Sequence, residues 1–461
     1  MKLAILGSGP GGYVAAIRAA QLGARVTIIE ENEVGGTCLN WGCIPTKSLV
    51  ASSEMFSKAK RLQDFGIETT GNISPNFLKI LERKNRIVNL QIKGIRNLFK
   101  LHGITLQEGR GQVVSPTEII VESKNGAQKT VTADRIIVAT GSKTLQLPAF
   151  PFDGRQILST DDVFRLDAIP KSLTIIGAGV SGCEFACIFR QLGSEVTLLE
   201  KLPRALATED TEISHIFERE LKKHGIRFIP SITVDKIDMR DGGVHIFLGD
   251  GTELGAEKAL VSVGRSFNSD GIGLEKVGIR KGTRGEIIAN EKMETNIPGI
   301  YAVGDVTGGH MLAHVASAEG IVAANNSVGG NERADYSAVP SAIFTSPEIA
   351  SVGITEQQAV ETGIKVRTGH FQFRTLAKSH IMGEIEGMIK IVSDESSDKI
   401  LGVHMIGPHA SDLIHEGVLA ISKGLKTKDI SNSMHAHPTL SEVLQEAAAD
   451  VHGEAIHGQK K

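Results

Sequence analysis

KLAILGSGPGGYVAAIRAAQLGARVTIIEE, residues 2–31, reads as a single unit. A short apolar run ends in Gly-x-Gly-x-x-Gly, an alanine-rich stretch with helical spacing follows, and a second apolar run closes on Glu30. SLTIIGAGVSGCEFACIFRQLGSEVTLLEK, residues 172–201, repeats the pattern, and even the connectors match, AAQLGARVT against FRQLGSEVT. One such glycine motif is weak evidence. Strand, glycines, helix, strand and terminal acid within about 30 residues is a strong signal, and here it occurs twice. Two plain βαβ units with glycine turns are the competing reading, but every part of the fingerprint is present in both copies.

Each residue type has a physical task in this pattern. Gly7 and Gly177 permit a tight strand-to-helix turn, Gly9 and Gly179 let backbone approach a pyrophosphate, and Gly12 and Gly182 let the helix pack on its strand. The helix N-terminus then offers unpaired N–H groups and a positive dipole end to the phosphates. Glu30 and Glu200 stand where a carboxylate accepts from ribose hydroxyls. Glu200 also repels a 2′-phosphate, which favours NAD over NADP, although Lys201 and Arg204 follow closely.

Outward from the repeats, residues 74–102 are expected to form a charged amphipathic helix and 104–138 a β-rich stretch ending in the buried strand of RIIVATGS. More strands are expected over 228–260, then VGRSFNSD. IPGIYAVGDVTGG, residues 297–309, reads as a strand delivering Asp305 to a glycine-flanked turn. That Asp suits either the ribityl or phosphate part of a flavin or a simple turn. Beyond residue 337, strands (GMIKIV, ILGVHMIG) and helices (SDLIHEGVLAISKGL, LSEVLQEAAADV) alternate as in a compact α+β domain.

The bulk properties set limits. With 41% hydrophobic and 22% charged residues the chain is an ordinary globular protein, and a net charge of −3 lacks the basic excess of a nucleic-acid binder. No apolar run is long enough to suggest a membrane span. The chain enters its first strand at once, leaving no room for a leader, so a cytoplasmic location is expected. Four cysteines in such a chain point to redox or metal chemistry rather than a disulfide scaffold.

Two of the four lie in GGTCLNWGCIPTK, residues 35–47. On a regular helix Cys38 and Cys43 would have Cα atoms roughly 8–9 Å apart, beyond the ~7 Å limit for a disulfide. A bond between them therefore requires an irregular segment, which Gly42 makes easy. Pro45 suits a first helical turn, so a helix is expected from about Ile44, with Cys43 at its N-terminus, where the dipole favours thiolate. One cysteine pair supplies only half a zinc site. Two inert buried thiols remain the alternative. Cys183 and Cys187, at i and i+4 on the second motif's helix, read as small buried packing residues.

A reactive cysteine pair beside two dinucleotide sites suggests an electron route that needs a base. His437, in HAHPTLSE, is the candidate, since imidazole titrates near neutral pH, and Glu442 can orient its ring. His435 reads as structural.

GSGPGG, GGTCLNWGC with IPTK, IIGAGVSGCEFA, YAVGDV and HAHPTLSE occur in the order and spacing of one family. Over essentially its full length the sequence resembles the pyridine nucleotide–disulfide oxidoreductases. The resemblance implies an α/β fold with two Rossmann-like dinucleotide-binding domains and a C-terminal α+β dimerisation domain. The implied division is 1–147 and 269–336 for FAD, 148–268 for NAD, and 337–461 for the dimer interface. It implies FAD-dependent oxidation of dihydrolipoyl groups on lipoyl proteins, with NAD⁺ reduced, through a redox-active Cys38–Cys43 disulfide.

In that resemblance Cys38 is the thiol that meets the substrate and Cys43 the one near the flavin. Lys47 lies by the flavin with Glu184 as its carboxylate partner, and His437 with Glu442 comes from the other subunit of a homodimer. Gly7, Gly9, Gly12, Glu30, Gly36, Thr37, Lys47, Gly141 and Asp305 match FAD positions; Gly177, Gly179, Gly182, Glu200 and Gly264 match NAD positions. No metal is implied. The partners implied are lipoyl-bearing proteins of 2-oxoacid dehydrogenase or glycine-cleavage systems, because this chain has no lipoyl domain, with no nucleic acid and no membrane. Trp41 stands where many relatives carry Val and bears on access to Cys38 or on the pair's potential. Alternatives are another NAD(P)H-dependent flavin disulfide reductase, disfavoured by Glu200 and the HPTLSE tail, or a non-catalytic scaffold on the same fold, disfavoured by the intact Cys38, Cys43, His437 and Glu442.

Overall fold

The computed structural model describes residues 1–240 and 242–458. The opening motif folds as its grammar requires. Strands Lys2–Leu6 and Arg25–Glu30 pair in parallel, with helix α1 (Pro10–Gln21) crossing between them. Strands Thr105–Glu108, Arg135–Val138 and Ile300–Ala302 complete a five-stranded parallel sheet, in the spatial order 300–302, 135–138, 2–6, 25–30, 105–108. Apart from the polar edge strand Thr105–Glu108, these strands are mostly apolar runs because the sheet is covered on both faces. Ala15, Ala16 and Ala19 of α1 are fully buried, small enough for a helix packed on both a sheet and a neighbouring helix.

Between the first and second strand pairs lie three more helices. α2 spans Gly36–Trp41, α3 Cys43–Ala59 and α4 Phe77–Leu101. The expected helix over 74–102 is thus present, and its start is fixed by the Asn76 side chain, which accepts from Lys79 N–H at 3.1 Å.

The second motif builds a second parallel sheet, in the order 227–229, 195–199, 172–176, 258–261, 157–158, on helix α5 (Val180–Leu192). Helix α6 (Thr211–Lys223) follows it. The internal repeat goes beyond the motif: each parallel sheet is accompanied by a three-stranded antiparallel meander, 110–132 in the first and 234–256 in the second. Phe185 and Phe189 of α5 are buried against Leu49 and Phe77 in one core that joins α3, α4 and α5. Truncating Phe189 to Ala would cost about 3–5 kcal/mol.

The chain passes from the first sheet to the second through strand Ser142–Thr144 and returns through Arg265–Phe267. These two strands pair antiparallel, and Leu145 N–H donates to Gly264 O at 3.0 Å. Helix α7 (Ala313–Ser327) then packs on α1, so closely that a Cβ on Gly320 would lie 2.4 Å from Gly11 O. The last unit is a five-stranded antiparallel sheet, 340–343, 348–353, 400–407, 388–394, 366–372, with helices Ala410–Ser422 and Glu442–Asp450. The strands and helices expected beyond 337 are therefore present. Within it Lys390 is fully buried and reaches out of the sheet to Asp210, just before α6, at 3.1 Å and to Glu356 at 2.7 Å.

Candidate active site

Gly42 divides the cysteine segment. Its φ of −129° and ψ of −114° end α2, and α3 begins on the next residue, Cys43, one position earlier than expected. A side chain here is excluded, since a Cβ would sit 2.9 Å from Thr37 O and 3.2 Å from Cys38 Cα. The break folds Cys38 back onto Cys43. Both are half-buried free thiols, and they hydrogen-bond to one another. The Cys38 hydrogen bond and the nearby Lys47 ammonium bring the Cys43 thiol down to about 7, despite its burial, while Cys38 is pushed well up. The pair thus shares one negative charge, held by Cys43 at the start of a 17-residue helix.

One turn along α3, Lys47 Nζ meets both carboxylate oxygens of Glu184 at 2.9 Å. Glu184 comes from α5 of the second motif, and its side chain is only 3% exposed. Its remaining need is met by the Phe344 amide, which donates to Oε1 at 3.0 Å, and the Phe344 ring lies 4.9 Å from Lys47 Nζ. Three parts of the fold therefore meet at this ion pair. Phe344 carried no local signal in the sequence, because its role depends on a loop of the C-terminal sheet. Cys183 and Cys187 are buried behind Glu184 and packed as expected, with Cys183 Sγ donating to Ala178 O at 3.3 Å.

Beside the cysteines a cavity of about 490 Å³ opens along the first glycine turn. Gly7, Ser8, Glu30, Gly36, Thr37, Trp41 and Ser142 are among its walls. Gly7 has φ +100° and a Cβ there would strike Ala139 O at 2.3 Å, while one on Gly12 would strike Gly7 O at 2.0 Å. Gly9 differs: its nearest neighbour would be Gly36 Cα at 3.9 Å, so the space over it is left for a ligand. Glu30 ends its strand at this cavity and accepts from Ser8 N (2.9 Å), Ser8 Oγ (2.7 Å) and Asn32 N (2.8 Å). This combination of a glycine cradle at a helix N-terminus and a strand-end carboxylate fits FAD.

Asp305 stands in the short helical turn Gly304–Thr307. Ser142 Oγ donates to it, and Arg265 Nε donates to Ser142 Oγ at 2.7 Å, so Arg265 positions the aspartate through the serine. Behind the turn, Glu319 accepts Gly304 N–H at 2.6 Å and the Tyr336 hydroxyl at 2.8 Å. Arg265, Glu319 and Tyr336 were not singled out in the sequence, because Arg265 acts across more than a hundred residues and Glu319 and Tyr336 support the turn from behind, outside any motif. Gly141 adjoins Ser142 with φ +69° and open space around it.

The second motif repeats the geometry. A Cβ on Gly177 would lie 2.3 Å from Ser262 O, one on Gly182 would lie 1.9 Å from Gly177 O, and Gly179 has nothing within 4 Å. Glu200 accepts from Ala178 N at 2.6 Å and Leu202 N at 2.8 Å. The set fits NAD. Of the two cations that follow Glu200, Lys201 is exposed and Arg204 is otherwise engaged: it donates to Ala207 O at 2.7 Å, Glu209 O at 2.9 Å and Ser214 Oγ at 3.2 Å. Gly264 follows Ser262 and Val263, whose backbone packs against Gly177 of this turn, and its carbonyl accepts from Leu145 N at 3.0 Å.

His437 Nδ1 is 2.9 Å from Glu442 Oε1, and Glu442 Oε2 accepts Thr439 N–H at 2.9 Å. Burial pushes the Glu442 carboxyl up, but His437 and the Thr439 amide outweigh it and hold it below the ordinary range. The His437 side chain is 71% exposed. Among the described residues no hydrogen bond joins it to either cysteine of its own subunit. His435 is instead tied to Glu416 at 3.1 Å and to Ser433 O at 3.0 Å, a structural histidine.

A dithiol pair lodged between two dinucleotide cradles defines a flavin- and nicotinamide-dependent redox enzyme acting on disulfides. Two family models match: "Pyridine nucleotide-disulphide oxidoreductase" over residues 1–320, and its dimerisation domain over 339–448. The chain belongs to the pyridine nucleotide–disulphide oxidoreductase family, and its cofactors are FAD and NAD(H). It is 44% identical to dihydrolipoyl dehydrogenase of Chlamydia muridarum, covering 96% of this chain and 95% of the relative. It is 42% identical to dihydrolipoyl dehydrogenase of Bacillus subtilis, covering 98% of each. The crystal structure of LpdA from Mycobacterium tuberculosis superposes with a TM-score of 0.92 at 29% identity, over 97% of this chain and 99% of that one.

Proposed function

We infer that the protein oxidises dihydrolipoyl groups of lipoyl proteins to the cyclic disulfide and reduces NAD⁺ to NADH. The observation that carries this is the Cys38–Cys43 pair, with its charge on Cys43, set against the Lys47–Glu184 pair between the two nucleotide cradles. FAD, when bound, takes two electrons from the dithiol and returns them to NAD⁺ as a hydride equivalent.

The protein's own residues do the rest. His437 of one subunit, its ring oriented by Glu442, takes the proton from a dihydrolipoyl thiol. The resulting thiolate attacks Cys38 in the oxidised pair, a mixed disulfide forms, and Cys43 leaves as thiolate. The second lipoyl thiol then attacks the lipoyl sulfur of the mixed disulfide and the lipoyl ring closes; Cys38 leaves and takes the proton held by His437, and His437 takes the second thiol's proton. Two protons and two electrons have then moved from substrate to protein. Cys43 suits the leaving role because its thiolate is favoured near pH 7.

The division into 1–147 with 269–336, 148–268 and 337–461 is supported by the three five-stranded sheets, one in each unit, and the active unit in this reading is a homodimer. No helix among the described residues is long and apolar enough to cross a membrane, and a cytoplasmic location is proposed. The deciding experiment is anaerobic turnover of free dihydrolipoamide with NAD⁺ beside NADP⁺. Rapid NADH formation with slow NADPH formation is expected, because Glu200 repels a 2′-phosphate and Arg204 is held elsewhere. Flavin reduction by NADH without dihydrolipoamide turnover would move the assignment to another disulfide substrate.

A further inference from the structure

Helix α4 lies directly beside the cysteine helices. Arg96 near its C-terminal end pairs with Glu33, just before α2, at 2.9 Å, and Arg83 near its start donates to Ser48 Oγ of α3 at 3.2 Å. Phe77, Leu81, Val88 and Phe99 bury its inner face. The outer face is unlike the rest of the molecule. In a chain of net charge −3, this one helix carries seven basic residues against a single acid, Glu82.

Four of these cations are spaced by seven: Lys79, Arg86, Lys93 and Lys100. A heptad interval drifts only about 20° around a helix, so the four form one stripe. It runs about 30 Å along the axis at 1.5 Å per residue. All four side chains are exposed, and among the described residues none has a carboxylate partner. Leu90, one turn from both Arg86 and Lys93, is 67% exposed in the middle of the stripe. A solvated helix face ordinarily interleaves both signs. This one presents four cations against a single exposed carboxylate, Glu82, with an apolar side chain at its centre, which is the composition of a polar-rimmed docking patch.

We propose that the outer face of α4 is the docking surface for the acidic face of the protein domain that carries the dihydrolipoyl arm. The proposal rests on the dihydrolipoyl reading above. Its argument is charge complementarity and position: a protein-borne thiol must be brought to Cys38, and α4 is the strongly charged element packed on the helices that carry the pair. The stripe steers an acidic carrier to that side, and Leu90 supplies a contact that excludes water.

The test uses the FAD-loaded enzyme with two substrates, free dihydrolipoamide and a purified, reduced lipoyl carrier domain of net negative charge. The variants are Arg86→Glu with Lys93→Glu, and Leu90→Ala alone. All are surface changes, and unchanged flavin content checks folding. The charge-reversed variant is expected to raise KM for the carrier domain at least tenfold and to leave kcat/KM for free dihydrolipoamide within twofold. The wild-type KM for the carrier should also rise with salt, as screening requires. Equal carrier KM values in wild type and charge-reversed variant overturn the docking proposal. So does loss of sedimentation with phosphatidylglycerol vesicles while the carrier KM is unchanged, which would make the stripe a lipid-facing surface. Failure of the wild type on free dihydrolipoamide overturns the functional reading instead.

Discussion

Cys43 feels two opposite charges along the same line of contacts. Lys47 pulls its pKa down, Glu184 pulls it up, and the Cys38 hydrogen bond outweighs the burial that opposes it, giving about 7. The sign follows: the folded pKa lies below the thiol's ordinary value, so the reduced protein is stabilised by this group above that value and loses the stabilisation as pH falls through about 7. In a Cys38→Ser background, where a hydroxyl donor is kept, alkylation of Cys43 followed by mass spectrometry should show a midpoint near neutrality. Adding Glu184→Gln should move the midpoint down by some tenths of a unit, because an opposing negative charge is gone. A midpoint that stays put would show that the ion pair does not set the thiol's acidity. At this scale the cysteines, Lys47, Glu184 and His437 were legible in the sequence because each sits inside a motif of its own. Phe344, Arg265 and Tyr336 were not, because each acts across a distance of more than a hundred residues or through a second side chain.

Helix α3 carries Cys43 at its start and an unusual carboxyl, Glu54, in its far half. Burial, then the negative charge of Glu348, with Glu384 adding to it, pushes Glu54 up to about 7, against relief from Lys58 and His409. A carboxyl with a raised folded pKa contributes stability below its unfolded pKa and loses it as pH rises toward 7. Glu54→Gln should therefore raise the thermal midpoint at pH 8, by about 1–3 kcal/mol of stability, and change it little at pH 4. Equal effects at the two pH values would show that Glu54 ionises normally. The start of α3 was read one residue late, and α2 was expected only as an irregular turn. The sequence showed that Gly42 makes a distortion easy, but not that the six residues before it would still form helix.

At the scale of the molecule, the exposed His437–Glu442 pair implies a site completed by a second subunit. Re-dimerising Cys38→Ser with His437→Ala subunits at random pairing makes half the dimers hybrid, each with one complete site, so about a quarter of the wild-type rate should return. Each parent alone should be inactive. No recovery on mixing would place base and thiol in the same subunit. The two nucleotide folds were legible because their motifs are local and duplicated. The seating of the second on the C-terminal sheet was not: Lys390 is buried with Asp210, 180 residues away, and nothing near either residue announces the other.

The ribbon formed by Ser142–Thr144 and Arg265–Phe267 has a further consequence. Everything between its strands begins and ends at one point, closed by the Leu145–Gly264 hydrogen bond. The nicotinamide half of the enzyme is thus threaded like a bead on a single doubled strand. Two cuts free it as one piece, and a counterpart of different coenzyme choice can be spliced at the same two points without rerouting the flavin sheet. Exchange of the electron acceptor is in this sense a matter of replacing a cassette, with Asp210 on Lys390, Glu184 on Lys47, and Phe185 and Phe189 on Leu49 and Phe77 as the buried matches the newcomer must reproduce.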